Sequence, residues 1–138
     1  MWSYYGSKSK VVDYYPTPKH SKIIEPFAGS ARYSLKYFEN DVLLVDKYEV
    51  IVKIWKWLQK CSEKDILGLP KLHKGESVKS FNLSDDETLF LGMLAGVSAT
   101  SPRDKVSQFA AEKIQPRKTV RRFVAWAIAV ISIAMIWF

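Results

Sequence analysis

The chain has 138 residues, a net charge of +7 and 48% hydrophobic residues, which is enough for one domain with a substantial core. The positive charge favours a polyanionic partner, either nucleic acid or an anionic membrane surface. A single cysteine, Cys61, excludes an internal disulfide bond and fits a reducing, cytoplasmic location. His20 and His73 have no Cys or His neighbours, so we expect no metal site, and the N-terminus lacks the apolar core of a signal peptide.

The first ten residues place aromatic residues before a glycine and a lysine shortly after it. Tyr4 precedes Gly6 by two positions, and Lys8 follows it by two. In a binding site, the tyrosine would stack on a planar ligand group, the glycine would form a turn and the lysine would meet a carboxylate. The alternative is an N-terminal tail without a function. Residues 11–21, with two prolines, predict a short helix and then an extended approach to the first strand.

The next stretch runs from an apolar segment through an acid and a Pro-Phe pair to small residues. This order predicts a buried strand over residues 22–27, a tight turn, and a helix over 30–38. The core-facing positions of that helix would be Ala31, Leu35 and Phe38, at helical spacing.

The predicted turn has the chemistry of a ligand site. Gly29 has no Cβ to block an approaching ligand and can take a positive φ, and the helix start after it offers free N–H groups. Glu25 ends the strand, at the edge where open α/β sheets bind ligands, and can accept hydrogen bonds from one.

A second buried strand is predicted over residues 42–45, and it ends at an acid. Asp46 follows Gly29 by 17 residues, a spacing that suits an acid bound to ribose hydroxyls. Because Asp46 also precedes a helix, a role as helix N-cap is the alternative, and both roles can hold together.

That helix is predicted over residues 47–60. One face carries the large apolar residues Ile51, Ile54, Trp55 and Leu58, and the opposite face carries Lys53, Lys56 and Lys60. The sequence therefore predicts a helix with one buried face and a solvated lysine row.

These pieces, in this order, resemble the N-terminal part of the Dam-like (D12 class) adenine-specific DNA methyltransferases. The resemblance covers about residues 1–60. It rests on three motifs: Tyr4-x-Gly6-x-Lys8, then Glu25-Pro26-Phe27-x-Gly29, then Asp46 after Leu-Leu-Val.

The resemblance implies a partial doubly wound (Rossmann-like) α/β fold with helical additions. It also implies that the chain binds S-adenosylmethionine for methylation of the exocyclic N6 of adenine in DNA. By the same resemblance, Tyr4 and Lys8 would hold the methionine part of the cofactor. The turn from Glu25 to Gly29 would line the cofactor site, and Asp46 would bind the ribose.

The sequence departs from the family pattern in two small ways and one large one. Ser7 and Ala31 stand where the family usually has glycine. The family's catalytic Asp-Pro-Pro-Tyr tetrapeptide is absent, so no catalytic residue is assigned. In the family, that motif accepts from the adenine amine and stacks on the flipped base. It follows a strand, and residues 133–138 predict such a strand, so we expect the chain to stop where the motif would begin.

The middle of the chain, residues 61–122, is predicted to be helical, with a short helix over 61–69 and a second that begins at Ser84. Ser84 and Glu87 have the spacing of a capping box. In the family, this region helps to hold DNA. The basic residues dense enough for phosphate contacts are Arg103, Lys105, Lys113, Arg117, Lys118, Arg121 and Arg122. A merely solvated basic segment is the alternative.

Residues 123–138 are apolar and follow a basic flank, yet they are shorter than a bilayer span. Three interpretations remain open: a buried helix and strand, a marginal membrane anchor, or the tail of a truncated or frameshifted gene. We favour the first or the third.

The sequence thus predicts one partial methyltransferase domain, inactive alone, with a cofactor part (1–60), a helical part (61–122) and an apolar end (123–138). The expected cofactor is S-adenosylmethionine and the expected partner is DNA, with a second chain as a source of the missing catalytic half. The alternatives are a non-catalytic cofactor- or DNA-binding module and a small membrane-associated protein.

Overall fold

The computed structural model describes residues 2, 4–97, 99–114 and 133–136. Three parallel strands form one sheet in the order β1 (Lys22–Pro26), β2 (Asp41–Val45) and β3 (Ile133–Ile136). The prediction of an α/β chain with parallel strands is therefore confirmed. The strand predicted near the C-terminus is present over Ile133–Ile136, and it pairs with β2 on the side away from β1.

Five α-helices lie within the described residues. They are α1 (Arg32–Lys36), α2 (Glu49–Lys60), α3 (Glu63–Gly68), α4 (Asp85–Ala95) and α5 (Gln108–Lys113). Short 3₁₀ turns occupy Lys8–Lys10, Val12–Tyr14 and Val78–Ser80. The predicted capping box of Ser84 and Glu87 begins α4, and a second one, of Ser62 and Asp65, begins α3. Each box satisfies backbone N–H groups that the helix leaves without partners.

Helix α2 buries the face that its sequence pattern predicts. Ile51, Ile54 and Trp55 are fully buried and Leu58 nearly so, whereas the lysine row on the opposite side is exposed. The buried face joins the main core cluster, which also holds Trp2 and α4 side chains. The predicted amphipathic helix therefore forms, because its apolar face packs into the core.

Helix α1 is shorter than predicted, and the core position assigned to Phe38 is wrong. Ala31 takes a left-handed conformation (φ 46°, ψ 44°), so the helix begins one residue after it, and it ends at Lys36. Phe38 therefore lies beyond the helix, where helical spacing no longer brings it to the core, and it is 44% exposed. Ala31 and Leu35 are buried as expected.

Within the part of the chain that the structure describes, the sheet is covered on one face. Ile23 and Glu25 of β1 are buried, as are Val42 and Leu44, their partners on β2. Ser34 of α1 hydrogen-bonds to Glu25, and the buried residues of α2 share a core cluster with the sheet, so both helices cover this face. On the opposite face Ile24 is 59% exposed. The prediction of fully buried strands is therefore correct for one face only.

Several sequence predictions lie outside the described residues. They include the basic side chains Arg117, Lys118, Arg121 and Arg122 and most of the apolar segment 123–138. Among the described residues, no helix is both long and apolar enough to cross a membrane.

Candidate functional site

The turn between β1 and α1 has an unusual backbone. Phe27, Gly29 and Ala31 all have positive φ values, of 54°, 49° and 46°. A glycine adopts this conformation freely, but for a residue with a side chain it costs on the order of 1 kcal/mol or more. The turn keeps this shape because its surroundings hold it, and strain of this kind is concentrated at functional sites.

Asp46 holds the turn from the end of β2. Its Oδ2 accepts the Gly29 N–H at 2.8 Å, and its Oδ1 accepts the Tyr48 N–H at 2.9 Å. The Trp55 indole N–H donates to the Gly29 carbonyl at 2.8 Å from inside the core. Both backbone polar groups of Gly29 are thus bound, one to the sheet's edge and one to α2.

Asp46 is not the N-cap residue of α2, although it binds the residue that is. Tyr48 is the residue that precedes the helix, and its side chain makes no capping bond. Asp46 binds the N–H of Tyr48 itself and so orders the approach to the helix rather than its first turn.

Glu25 anchors the turn from below. Its side chain is buried, and its Oε2 accepts both the N–H and the hydroxyl of Ser34, at 2.8 and 2.6 Å. Its Oε1 lies 3.1 Å from Lys8 Nζ, which also donates to the Phe27 carbonyl at 3.1 Å. A buried carboxylate needs such partners, and removal of one of them from a buried pair is costly. Among the described residues, Ser34 therefore supplies hydrogen bonds to Oε2, whereas Oε1 has the charge of Lys8 beside it but no hydrogen bond.

The N-terminal segment folds over this turn. A β-turn closed by the Ser7 N–H and the Tyr4 carbonyl, at 2.9 Å, gives Gly6 a φ of 75°. Ser7 and Ser30 share a hydroxyl hydrogen bond of 2.9 Å. Residues 4–8 are therefore packed on the turn, and a functional role for them stays a prediction.

Tyr4 lies against Gly29. A Cβ built on Gly29 would lie 3.0 Å from Tyr4 Cδ1, so this glycine admits the tyrosine ring as well as a positive φ. Burial, and after it the nearby Asp46 carboxylate, raises the pKa of Tyr4 above its usual value of 10.0. Tyr4 is therefore a neutral phenol near neutral pH.

Two adjoining pockets meet at this turn. The first, of about 220 Å³, is lined by Tyr4, Tyr5, Gly6, Ser7, Lys8, Phe27, Ala28, Gly29, Ser30 and Asp46. The second, of about 310 Å³, is lined by Lys8, Tyr15, Ile24, Glu25, Pro26, Phe27 and Tyr33. Lys8 and Phe27 line both. Six of the eight residues that the resemblance assigns to a cofactor site line the first pocket, and Glu25 and Pro26 line the second.

Sequence reasoning missed several residues of this site. Trp55 was assigned only to the core, and its bond to Gly29 has no signal in the sequence. Ser34 was not singled out, although its hydroxyl binds Glu25. Ser30 follows Gly29 directly, and a small polar residue beside a glycine turn is the one signal that could have indicated it.

The candidate DNA-contacting residues that the structure describes do not line either pocket. Arg103 and Lys105 are exposed, and Asp104 lies between them. Hydrogen bonds from the Ser77 hydroxyl and the Lys79 N–H lower the pKa of Asp104, so this carboxylate stays ionised and offsets part of the local positive charge.

Comparisons with known proteins add no identification. No family model matches the sequence, and neither the curated proteins nor the solved structures contain a detectable match. Among the described residues, no cluster of three or more His, Cys, Asp or Glu side chains could hold a metal ion.

Asp46→Asn should destabilise the protein, because the amide would turn an N–H group toward one of the two backbone donors that the carboxylate now accepts. We expect a loss of about 1–3 kcal/mol in the free energy of unfolding, measured by urea denaturation with tryptophan fluorescence. Asp41→Asn, at the exposed other end of β2, is the matched control and should change stability by less than about 0.5 kcal/mol. Equal effects of the two substitutions would contradict the role given to Asp46.

Proposed function

We propose that this chain is the cofactor-binding part of an S-adenosylmethionine-dependent DNA adenine methyltransferase of the Dam-like class. One observation carries the proposal. Tyr4, Lys8, Gly29 and Asp46, from three separate segments, line one pocket beside the carboxyl ends of two parallel strands. Open parallel sheets bind ligands at that edge. The finer fold, a partial doubly wound (Rossmann-like) sheet, is part of the proposal.

The side chains of the pocket have bonding capacity left for a cofactor. A carboxylate offers about four lone-pair sites, and Asp46 uses one on each oxygen, so two remain for ribose hydroxyls. A lysine ammonium has three N–H groups, and Lys8 donates one to the Phe27 carbonyl while its charge pairs with Glu25. A remaining N–H can bind the carboxylate of the methionine part while the ion pair with Glu25 stays intact.

The shape of the turn supports the same proposal. Ala31 stands where the family usually has glycine, and its φ of 46° is a value that glycine adopts without strain. Although Ala31 replaces the glycine of the family pattern, the backbone at this position keeps the conformation that glycine favours. Phe27 is 80% exposed between the two pockets, so its ring is available to a ligand.

The pocket is small for the whole cofactor. Its volume of about 220 Å³ is below the 300 Å³ or so that is typical of drug-sized ligands. We propose that the nucleoside part fills it and that the methionine part extends past Lys8.

Calorimetry with S-adenosylhomocysteine tests cofactor binding. The wild-type chain should bind, and Lys8→Met should weaken binding about tenfold, since a hydrogen bond between charged groups is worth roughly 1.5–3 kcal/mol. Lys10→Met, two residues away in the same 3₁₀ turn, should bind like the wild type.

A second ligand distinguishes a missing carboxylate contact from a damaged fold. 5′-Methylthioadenosine lacks the amino acid part, so Lys8→Met should bind it as the wild type does. Failure of the wild-type chain to bind either ligand would contradict the proposed function. Equal weakening for both ligands would remove Lys8 from the carboxylate site.

DNA is the proposed partner, and the cytoplasm is the proposed location. The affinity of the protein for DNA should fall steeply as the salt concentration rises. The slope of log affinity against log salt should be near −0.9 per phosphate neutralised, measured by fluorescence anisotropy with a labelled duplex. Charge reversal at Arg117 and Arg121 should flatten the slope by about 0.9 for each phosphate that is no longer neutralised. Lys60→Glu, on the exposed side of α2, is the control and should leave the slope unchanged. An unchanged slope in the double variant would leave the basic segment as a solvated surface.

We further propose that these 138 residues alone do not methylate DNA. Transfer needs a flipped adenine whose amine is made nucleophilic by adjacent hydrogen-bond acceptors, and the tetrapeptide that supplies them is absent from the sequence. The purified chain should transfer no labelled methyl group to duplex or single-stranded DNA. Formation of N6-methyladenine by the chain alone would contradict this prediction.

The absence of the catalytic tetrapeptide also favours the second candidate function, a non-catalytic cofactor-binding module. A second chain that carries the catalytic half would distinguish the two, because it should restore transfer only if the first proposal is correct.

A further inference from the structure

The outer edge of β1 is unpaired within the described part of the chain, where β1 is the end strand of the sheet. The Asp41 N–H donates to the Ser21 carbonyl at 2.9 Å, so residue 21 faces β2. Because alternate residues of a parallel pair face the neighbouring strand, residues 23 and 25 also face β2. Lys22 and Ile24 therefore present their backbone N–H and carbonyl groups outward, and Pro26 presents its carbonyl. No hydrogen bond from the described residues reaches these outward groups.

An apolar pocket lies beside this edge. It is the pocket of about 310 Å³, and its walls include Tyr15, Ile24 and Tyr33. Ile24 is 59% exposed and Tyr15 is 46% exposed, although both are large apolar side chains. Ile24 thus belongs both to the unpaired edge and to the pocket. An open edge with exposed apolar side chains is a site where another extended chain can pair.

We propose that this edge and pocket dock an extended, acidic segment of a partner protein. Its backbone would pair with Lys22 and Ile24 as an added strand, and one of its large apolar side chains would enter the pocket. In this mode of recognition the main-chain hydrogen bonds supply affinity, and a pocket for alternate side chains supplies specificity. The proposal does not depend on the proposed function.

Charge selects the acidic partner. Lys22 lies on the edge with its side chain 59% exposed, and its ion pair with Asp41 is a loose 4.0 Å contact between exposed groups. Lys8 lies in the wall of the pocket, but its charge is paired with the buried Glu25, so Lys22 is the cation at this edge that is available to an acidic segment. The chain carries a net charge of +7, so a second copy on this edge would be repelled, whereas acidic residues in the docked segment would be attracted.

Pro26 limits how far the added strand can extend. It has no N–H, so the full ladder spans Lys22 and Ile24 and ends with the Pro26 carbonyl. The pocket lies at this end of the strand. The apolar side chain of the docked segment should therefore lie within a residue or two of the residues that pair with β1.

A peptide selection tests the proposal. A phage-displayed library of random ten-residue peptides would be panned against the wild-type protein, and synthetic copies of the enriched peptides would be measured by fluorescence polarisation. We expect enriched sequences with acidic residues around one large apolar residue. Ile24→Pro should weaken their binding by about tenfold or more, because it removes an outward N–H without removing a bond between β1 and β2.

Two further variants make the result independent of the strand's stability. Tyr15→Ala, outside the strand, should weaken binding through the pocket. Phe38→Ala, another exposed aromatic residue away from the pocket, should leave binding unchanged.

The proposal would be overturned if no peptides are enriched, or if the enriched peptides bind Ile24→Pro and Tyr15→Ala as tightly as the wild type. It would also be overturned if sedimentation reveals a homodimer that Ile24→Pro dissociates, since a second copy would then occupy the edge. Calorimetry with S-adenosylhomocysteine is carried out on the wild-type protein without peptide, so failure here is distinct from failure of the proposed function.

Discussion

The hydrogen bond from the Gly29 N–H to the Asp46 carboxylate is the contact on which the rest of the site depends. It joins the turn after β1 to the end of β2, and the Trp55 bond to the Gly29 carbonyl joins the same residue to α2. A turn held at both polar groups of one residue can keep positive φ values at its neighbours. The pocket, the place of the Tyr4 ring and the exposure of Phe27 all follow from that conformation.

Lys8 and Glu25 fix the other side of the turn. Their ion pair places a charge of each sign beneath Phe27, and the Lys8 bond to the Phe27 carbonyl holds this strained residue directly. Because Glu25 is buried and bound to Ser34, it acts as an internal anchor. Lys8 is the partner that retains a free donor, which makes it the group of the pair that can meet a ligand.

Local patterns in the sequence were enough to predict the strands and helix α2, and to assign Gly29 and Asp46 to one site. A parallel β-α-β unit brings the ends of adjacent strands together, so an acid after the second strand lies beside the turn after the first. The left-handed Ala31 could not be predicted, because alanine rarely takes that conformation and tertiary contacts impose it. The exposure of Phe38 reflects the end of α1 at Lys36, and the open face at Ile24 depends on what covers the sheet rather than on the strand's own residues.

Amide hydrogen exchange at Gly29, followed by NMR, tests the central contact most directly. If Asp46 and the core hold this residue, its N–H should exchange roughly a hundredfold or more slowly than in an unstructured chain, and Asp46→Asn should remove most of that protection. The N–H of Tyr5, a residue that is 72% exposed, provides a comparison within the same molecule. Exchange of the Gly29 N–H at the rate of an unstructured chain in the wild type would contradict the account.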